Sequence, residues 1–226
     1  MMRAMDRRFA LSLAPLALLL VAAAPHHHAP AAPAPPPMAP LGPTARVALE
    51  TAMGRIVIEL DHAHAPITSD NFMHYVVEHR FDGTAFYRSM HLAWGAAPNG
   101  LIQGGTQMNP VRVRPPIAHE PTSATGILHK AGTVSMARYA PGSATGDFSI
   151  LLSDQPGLDA DPKAADAEAQ AGFAAFGHVV EGMEVVRAIF DAPRSATLGE
   201  GVMKGQMIAT PVTITRALRL PDPPVP

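Results

Sequence analysis

Hydrophobic positions along the 226-residue chain fall into short clusters separated by Gly, Pro and polar residues. In residues 46–50 (RVALE) Val47 and Leu49 alternate with polar neighbours, and in 55–60 (RIVIEL) Ile56 and Ile58 do the same beside Arg55 and Glu59. A period of two marks strands buried on one face. With only Thr51-Ala-Met-Gly54 between them, the two runs predict a hairpin turned at Gly54. The period then changes. Phe72, Tyr75, Val76 and His79 recur at i, i+3, i+4 and i+7, and Pro66 suits a first helical position, where no N–H is wanted. Residues 66–79 therefore predict an amphipathic helix. Short apolar runs follow at 84–90, 101–103, 133–137, 148–152, 174–180 and 211–218, all read as strands. Residues 183–190 predict a second helix after Gly182, with Val186, Ile189 and Phe190 as its apolar stripe and Pro193 beyond its end. Segments 159–172 and 191–209 are polar or Gly-rich and read as surface loops. About eight strands, two helices and no βαβ alternation predict a mainly β domain over 44–220: a closed antiparallel barrel capped by two α-helices.

Composition changes this picture mainly at the ends. Of 24 prolines, nine lie within residues 1–43 and four within 221–226, so an ordinary globular body sits between two Pro-rich ends. Residues 1–24 have the form of a secretory signal peptide. Arg3, Arg7 and Arg8 precede an apolar run from Phe9 to Ala24 that closes on small residues, with cleavage expected after Ala23 or Ala24. The run is short for a membrane span and Pro15 interrupts it; left uncleaved, it would be the chain's one route to a membrane. Residues 25–43 (PHHHAPAAPAPPPMAPLGP) are too poor in large apolar residues to fold and predict an extended, disordered linker. His26, His27 and His28 are metal-ligand types, but three adjacent His on a mobile chain seldom form a site. Residues 221–226 are a Pro-rich tail. The expected location is the periplasm or the exterior.

Charge and missing residue types narrow the chemistry. The chain contains no cysteine, which excludes disulfides, a thiolate nucleophile and Cys-based metal sites. Net charge is −2 with no block of like charges, so a nucleic-acid groove is not expected. No G-x-S-x-G, H-E-x-x-H, P-loop or dinucleotide fingerprint occurs. His62 and His64 lack a third ligand at a useful spacing. Asp147, Ser149 and His178 supply the residue types of a hydrolase triad without a spacing that selects it.

A series of motifs remains. In order these are Ala65-Pro-Ile-Thr-Ser-Asp-Asn-Phe72, Thr84-Ala-Phe-Tyr-Arg88, Leu101-Ile-Gln-Gly-Gly105, Gly132-Thr-Val-Ser-Met-Ala-Arg138, Ser143-Ala-Thr-Gly-Asp-Phe148, Leu158-Asp159 and Ala175-Phe-Gly-His-Val-Val-Glu-Gly-Met-Glu-Val-Val186. The series resembles the cyclophilin-type peptidyl-prolyl cis–trans isomerases over residues 46–219, closest to their bacterial secreted members. The resemblance implies an eight-stranded cyclophilin-like barrel and a reaction without cofactor or metal. It implies Arg88 as the catalytic arginine and Gln103 as its supporting glutamine. Met136, Ala137 and Arg138 match the segment along which the substrate chain lies. The implied partners are proline-containing unfolded or flexible polypeptides, and a barrel without free edges is expected to be a monomer.

Departures from the family pattern gather at the proline pocket. Fourteen residues, 89–102, separate Arg88 from Gln103 where the family usually has seven, so an insertion around 91–99 remodels that rim. Gly100 falls near the position of a pocket phenylalanine, with Leu101 beside it. Asp147 stands where glutamine is common, and Ser149 where a second pocket phenylalanine is common. Gly157 replaces an aromatic before Leu158, and Phe173 lies near a histidine or tyrosine position. Trp94, inside the insertion, is a candidate to fold back over the thinned pocket. Two functions follow: an exported prolyl isomerase, or a cyclophilin-like peptide-binding module or chaperone with weak or no isomerase activity.

Overall fold

Eight strands close on one another in the computed structural model, which describes residues 38–221. They are β1 (Ala45–Thr51), β2 (Gly54–Leu60), β3 (Thr84–His91), β4 (Gly100–Gly105), β5 (Thr133–Met136), β6 (Asp147–Leu151), β7 (Ala175–Glu181) and β8 (Met207–Arg219). Around the barrel the order is β1-β2-β7-β5-β6-β4-β3-β8, every neighbouring pair is antiparallel, and β8 closes on β1. The expected strand runs and the hairpin pairing Thr51 with Gly54 are all present. Alternating residues fill the interior: Val47, Leu49, Ile56, Ile58, Leu60, Ile102, Val134, Ile150 and Ile214 are buried. Among them Phe72, Phe81, Phe86, Phe148 and Phe176 meet at centroid separations of 4.9–5.7 Å, tilted or edge to face, as aromatic quadrupoles favour.

Two helices of three and two turns pack on the barrel. Helix α1 (Pro66–Val77) lies against β7 and β8. Ala65 has no side-chain oxygen to cap it, so Glu120, remote in sequence, accepts from the N–H groups of Ile67 and Thr68 and from the Thr68 hydroxyl. That carboxylate sits where the helix leaves its first amides unpaired. Helix α4 (Met183–Phe190) starts at Gly182, whose φ of 88° suits glycine, and buries Val185, Val186, Ile189 and Phe190 against β2, β3 and β4. Two shorter helices, α2 (Thr122–Thr125) and α3 (Ala167–Ala171), add to the expected pair. Helix α3 lies in the segment read as a loop, and β8 begins at Met207, inside the other such segment. Among the described residues no helix is long and apolar enough to cross a membrane.

The leader 1–24, most of the linker and the tail beyond residue 221 lie outside the described residues. Residues 38–43, the end of the predicted linker, lie against the domain. Met38 and Leu41 pack against the core, the Pro43 carbonyl accepts from Ala63 N–H, and Arg219 donates to the carbonyls of Ala39 and Pro40. His62 contacts the Gly42 carbonyl and Asp70, while His64 pairs with Asp61. The two imidazoles thus serve separate local contacts, and among the described residues no group of three or more His, Asp or Glu is arranged to hold a metal ion.

Candidate active site

A groove of about 480 Å³ opens on the barrel wall across β3, β4, β6 and β5, within the size range of small-molecule and peptide pockets. Its floor follows from strand register. Arg88 pairs with Gln103, Gln103 with Ser149, and Ser149 with Ser135, so one transverse row brings the four side chains to the same face. Strict alternation from buried Phe86 would turn Arg88 inward. A β-bulge between Phe86 and Arg88 shifts the register instead, so that Tyr87 and Arg88 both line the groove while Ser89 turns inward and donates to the Phe190 carbonyl.

Arg88 is half-buried and held from three sides. Its Nε donates to Gln206 Oε1 at 2.8 Å, its Nη1 to Gln103 Oε1 at 2.8 Å, and its Nη2 contacts Met90 Sδ at 3.5 Å. The relay continues: Gln103 Nε2 donates to the Tyr87 hydroxyl at 2.7 Å, which donates to Asp147 Oδ1 at 3.2 Å. Every link runs donor to acceptor from a cation to an anion, a direction that also fixes the Gln103 amide. Asp147 further accepts from Gln107 N–H at 2.8 Å and from Thr106.

Burial sets the electrostatics of these groups. It pushes the Asp147 carboxyl above its usual range, against the lowering effect of its hydrogen bonds. It pushes the Tyr87 phenol upward as well, with Asp147 adding to the effect, so the phenol stays protonated and able to donate. It lowers the Arg88 guanidinium, a group that nonetheless remains charged in proteins.

The sequence-derived site residues converge here with one exception. Arg88, Leu101, Gln103, Met136, Ala137, Arg138, Asp147, Ser149, Leu158 and Phe173 all line the groove. Trp94 does not. It is 67% exposed, because the insertion is anchored away from the groove: Leu92 N–H donates to the Asn99 carbonyl, and Asn99 Oδ1 accepts from Ser153 and Gln155. Gly100, at the root of the insertion, has φ of 141°, and a Cβ there would lie 1.9 Å from the Met90 carbonyl oxygen. No aromatic can occupy that position in this backbone. Arg138 is used up by structure. Its side chain, 1% exposed, donates to the carbonyls of Tyr139 and Gly172, pairs with Glu168, and lies 4.5 Å over the Phe173 ring, a cation–π contact that holds Phe173 in place.

Tyr87 and Gln206 carry the relay and were not singled out from sequence. Tyr87 adjoins Arg88, but without the bulge it would be expected on the opposite face. Gln206 arrives from 118 residues away with no local signal. The triad types are also placed differently from the sequence candidates. His178 is exposed on β7, away from Asp147 and Ser149, and a Ser–His–Asp chain exists elsewhere. His129 Nδ1 lies 2.7 Å from Asp159 Oδ1 and its Nε2 2.8 Å from Ser135 Oγ. With the imidazole fully enclosed and burial holding it below its ordinary range, this chain acts as a strut between β5 and the turn carrying Leu158.

The family model described as cyclophilin-type peptidyl-prolyl cis-trans isomerase matches residues 46–217. A peptidyl-prolyl cis-trans isomerase of Acinetobacter baylyi is 37% identical over 153 residues, covering 66% of this chain and 73% of that protein. One from Streptomyces antibioticus is 38% identical over 147 residues, covering 63% and 81% respectively. Among solved structures, a cyclophilin-type isomerase of Cryptosporidium parvum superposes with a TM-score of 0.61 at 18% identity, covering 80% of this chain and 99% of that one. A second structure of that protein, in the presence of the dipeptide Ala-Pro, gives the same TM-score at 17% identity, covering 78% and 99%. Motif order, barrel topology and these matches agree: the chain belongs to the cyclophilin-type peptidyl-prolyl cis–trans isomerase family, an enzyme class acting on proline-containing polypeptides.

Proposed function

We propose that the chain isomerises X–Pro bonds of exported, folding polypeptides by stabilising the twisted amide with Arg88, without a cofactor. The observation that carries this reading is the way the guanidinium is held. Nε and Nη1 are committed to glutamine oxygens, whereas the Nη2 partner among the described residues is a thioether sulfur, a weak acceptor. Of the five guanidinium N–H groups, only two therefore meet an oxygen acceptor among the described residues, and the Nη2 edge remains for a ligand.

Rotation about the prolyl amide faces a barrier of about 18–20 kcal/mol, because the C–N bond has partial double-bond character. As it twists, the nitrogen becomes pyramidal and regains a lone pair. A donor fixed beside that nitrogen binds the twisted state more tightly than the planar one, and a partly desolvated groove strengthens the interaction. Leu101, Met136, Leu158 and Phe173 supply apolar wall for the ring, with Ala137 and Arg138 beside the peptide backbone. No bond breaks, so neither nucleophile nor metal is needed. In a cis–trans exchange assay on X–Pro peptides, Arg88→Ala is expected to lower kcat/KM by about 10²-fold, the cost of one preorganised donor. Arg88→Lys recovers little, lacking the planar fork. Equal rates for wild type and Arg88→Ala would sink the catalytic reading.

Two observations favour the second reading, a peptide-binding module with weak isomerase activity. Ser149 lines the groove where an aromatic would fill it, and a Cβ at Gly157 would meet nothing within 4 Å. Export to the periplasm or exterior rests on residues 1–24. Expression of the full chain in a bacterial host should yield a mature protein beginning at Ala24 or Pro25 in the extracytoplasmic fraction; an intact cytoplasmic chain would remove that part of the proposal. A monomer is the expected state, since the closed barrel leaves no strand edge to pair.

A further inference from the structure

Five methionines line the groove: Met90, Met108, Met136, Met203 and Met207. The described residues hold nine methionines in all and no cysteine, so most of their oxidisable sulfur faces one surface. Met136 is 2% exposed, whereas Met108 and Met203 are open to solvent and Met90 and Met207 are half-buried. Of the five, Met90 has a particular position, its Sδ lying 3.5 Å from Arg88 Nη2.

We propose that Met90 is an oxidative modification site, and that its conversion to the sulfoxide by hydrogen peroxide or an organic hydroperoxide withdraws Arg88 from substrate. This rests on the catalytic reading of Arg88. The step balances simply. A sulfur lone pair attacks one peroxide oxygen, the O–O bond breaks, and the departing hydroxide (or alkoxide) takes up the peroxide proton and leaves as water (or an alcohol). The thioether is oxidised by two electrons and the peroxide reduced by two. The guanidinium already beside the sulfur can donate to the oxygen anion that departs.

The product differs from the thioether where it matters. A sulfoxide oxygen carries substantial negative charge and is a strong acceptor, whereas the thioether sulfur is a weak one. With Nε held by Gln206 and one Nη1 N–H by Gln103, a sulfoxide accepting from Nη2 draws toward residue 90 the guanidinium edge left for the prolyl nitrogen. The change is reversible by methionine sulfoxide reductases, unlike the higher oxidation states of cysteine.

The test compares wild type with Met90→Leu, each rate normalised to that of the same untreated protein. Both full chains are exposed to limiting hydrogen peroxide, and oxidation is mapped by peptide mass spectrometry. Wild type is expected to lose at least fivefold in isomerisation rate as Met90 gains one oxygen, and to recover on treatment with the two reductases. Met90→Leu, which retains the other four groove methionines, is expected to lose less than twofold. Equal losses in the two proteins, or an unchanged wild-type rate with Met90 fully oxidised, would overturn the proposal. The NMR resonance of the Arg88 side-chain N–H provides a readout independent of turnover. It should shift on oxidation of wild type and stay in place in oxidised Met90→Leu; no shift in oxidised wild type counts against the contact itself. If untreated wild type and Arg88→Ala isomerise equally, the catalytic reading fails while the resonance shift still reports on the site.

Discussion

Asp147 shows how one residue can be both costly and organising. Burial raises its carboxyl above the ordinary range, while Tyr87, Gln107 and Thr106 donate to it. The sign of the consequence follows from proton counting. Between the unfolded value, near 3.8, and the higher folded value, the native state binds more protons than the unfolded one. Stability attributable to this group therefore falls as pH rises through that window and stays reduced above it. Asp147→Asn keeps an oxygen for Tyr87 and Gln107 and turns an amide toward the Thr106 hydroxyl, removing only the buried charge. Its melting temperature at pH 7 should exceed that of wild type by about 2–4 °C, on the order of 1 kcal/mol for a chain this long. The gap should close below about pH 4, as a pH series of thermal melts would show. A lower melting temperature for the variant at neutral pH would mean that the charge, through the relay to Arg88, stabilises more than its burial costs.

Strands β1 and β2 and helix α1 were legible as local periodicity, because each buries one face at a fixed period. Helix α3 was not: its sequence, AEAQA, buries no residue and leaves no apolar stripe to read. The beginning of β8 was hidden in the same way, in a stretch where Ala209, Thr210 and Pro211 are all exposed. Motif order placed Arg88, Gln103 and the remaining wall residues, but no pattern in β3 announced the bulge that brings Tyr87 and Arg88 to the same face. Glu120 capping α1 and Gln206 reaching Arg88 depend on chain crossings that local sequence does not encode. Trp94 was misplaced because the anchors of its loop, Ser153 and Gln155, lie on a separate segment.

The part of the groove wall formed by β6 offers a place to add an aromatic ring. Ser149 lines the groove, so Ser149→Phe directs a ring into it, whereas Gly157 is exposed and lies outside the groove lining. Each ring buried against a bound proline adds about 1.5–3 kcal/mol. Ser149→Phe should therefore tighten binding of an Ala-Pro peptide by about tenfold or more, as titration calorimetry would register. Unchanged affinity would mean that position 149 does not contact the ring.

At the scale of the whole domain, closure involves more than the eight strands. Met38 and Leu41 cover part of the core, and Arg219 at the end of β8 holds the carbonyls of Ala39 and Pro40. A protein beginning at residue 44 loses that cover. It should melt below one beginning at residue 38 by several degrees, since two apolar side chains of this kind contribute about 2–4 kcal/mol when partly buried. Equal melting temperatures would show the segment to be dispensable.

The exposed position of Trp94 has an optical consequence. It is the chain's single tryptophan and lies on the insertion, apart from the groove, so its emission reports on the 92–99 loop and is blind to peptide arriving at Arg88. Tyr87 is the chromophore within the relay. Ultraviolet difference absorption of the groove phenols, Tyr87, whose hydroxyl joins Gln103 to Asp147, and Tyr139, is an intrinsic signal through which occupancy can be followed, and Tyr139→Phe isolates the contribution of Tyr87.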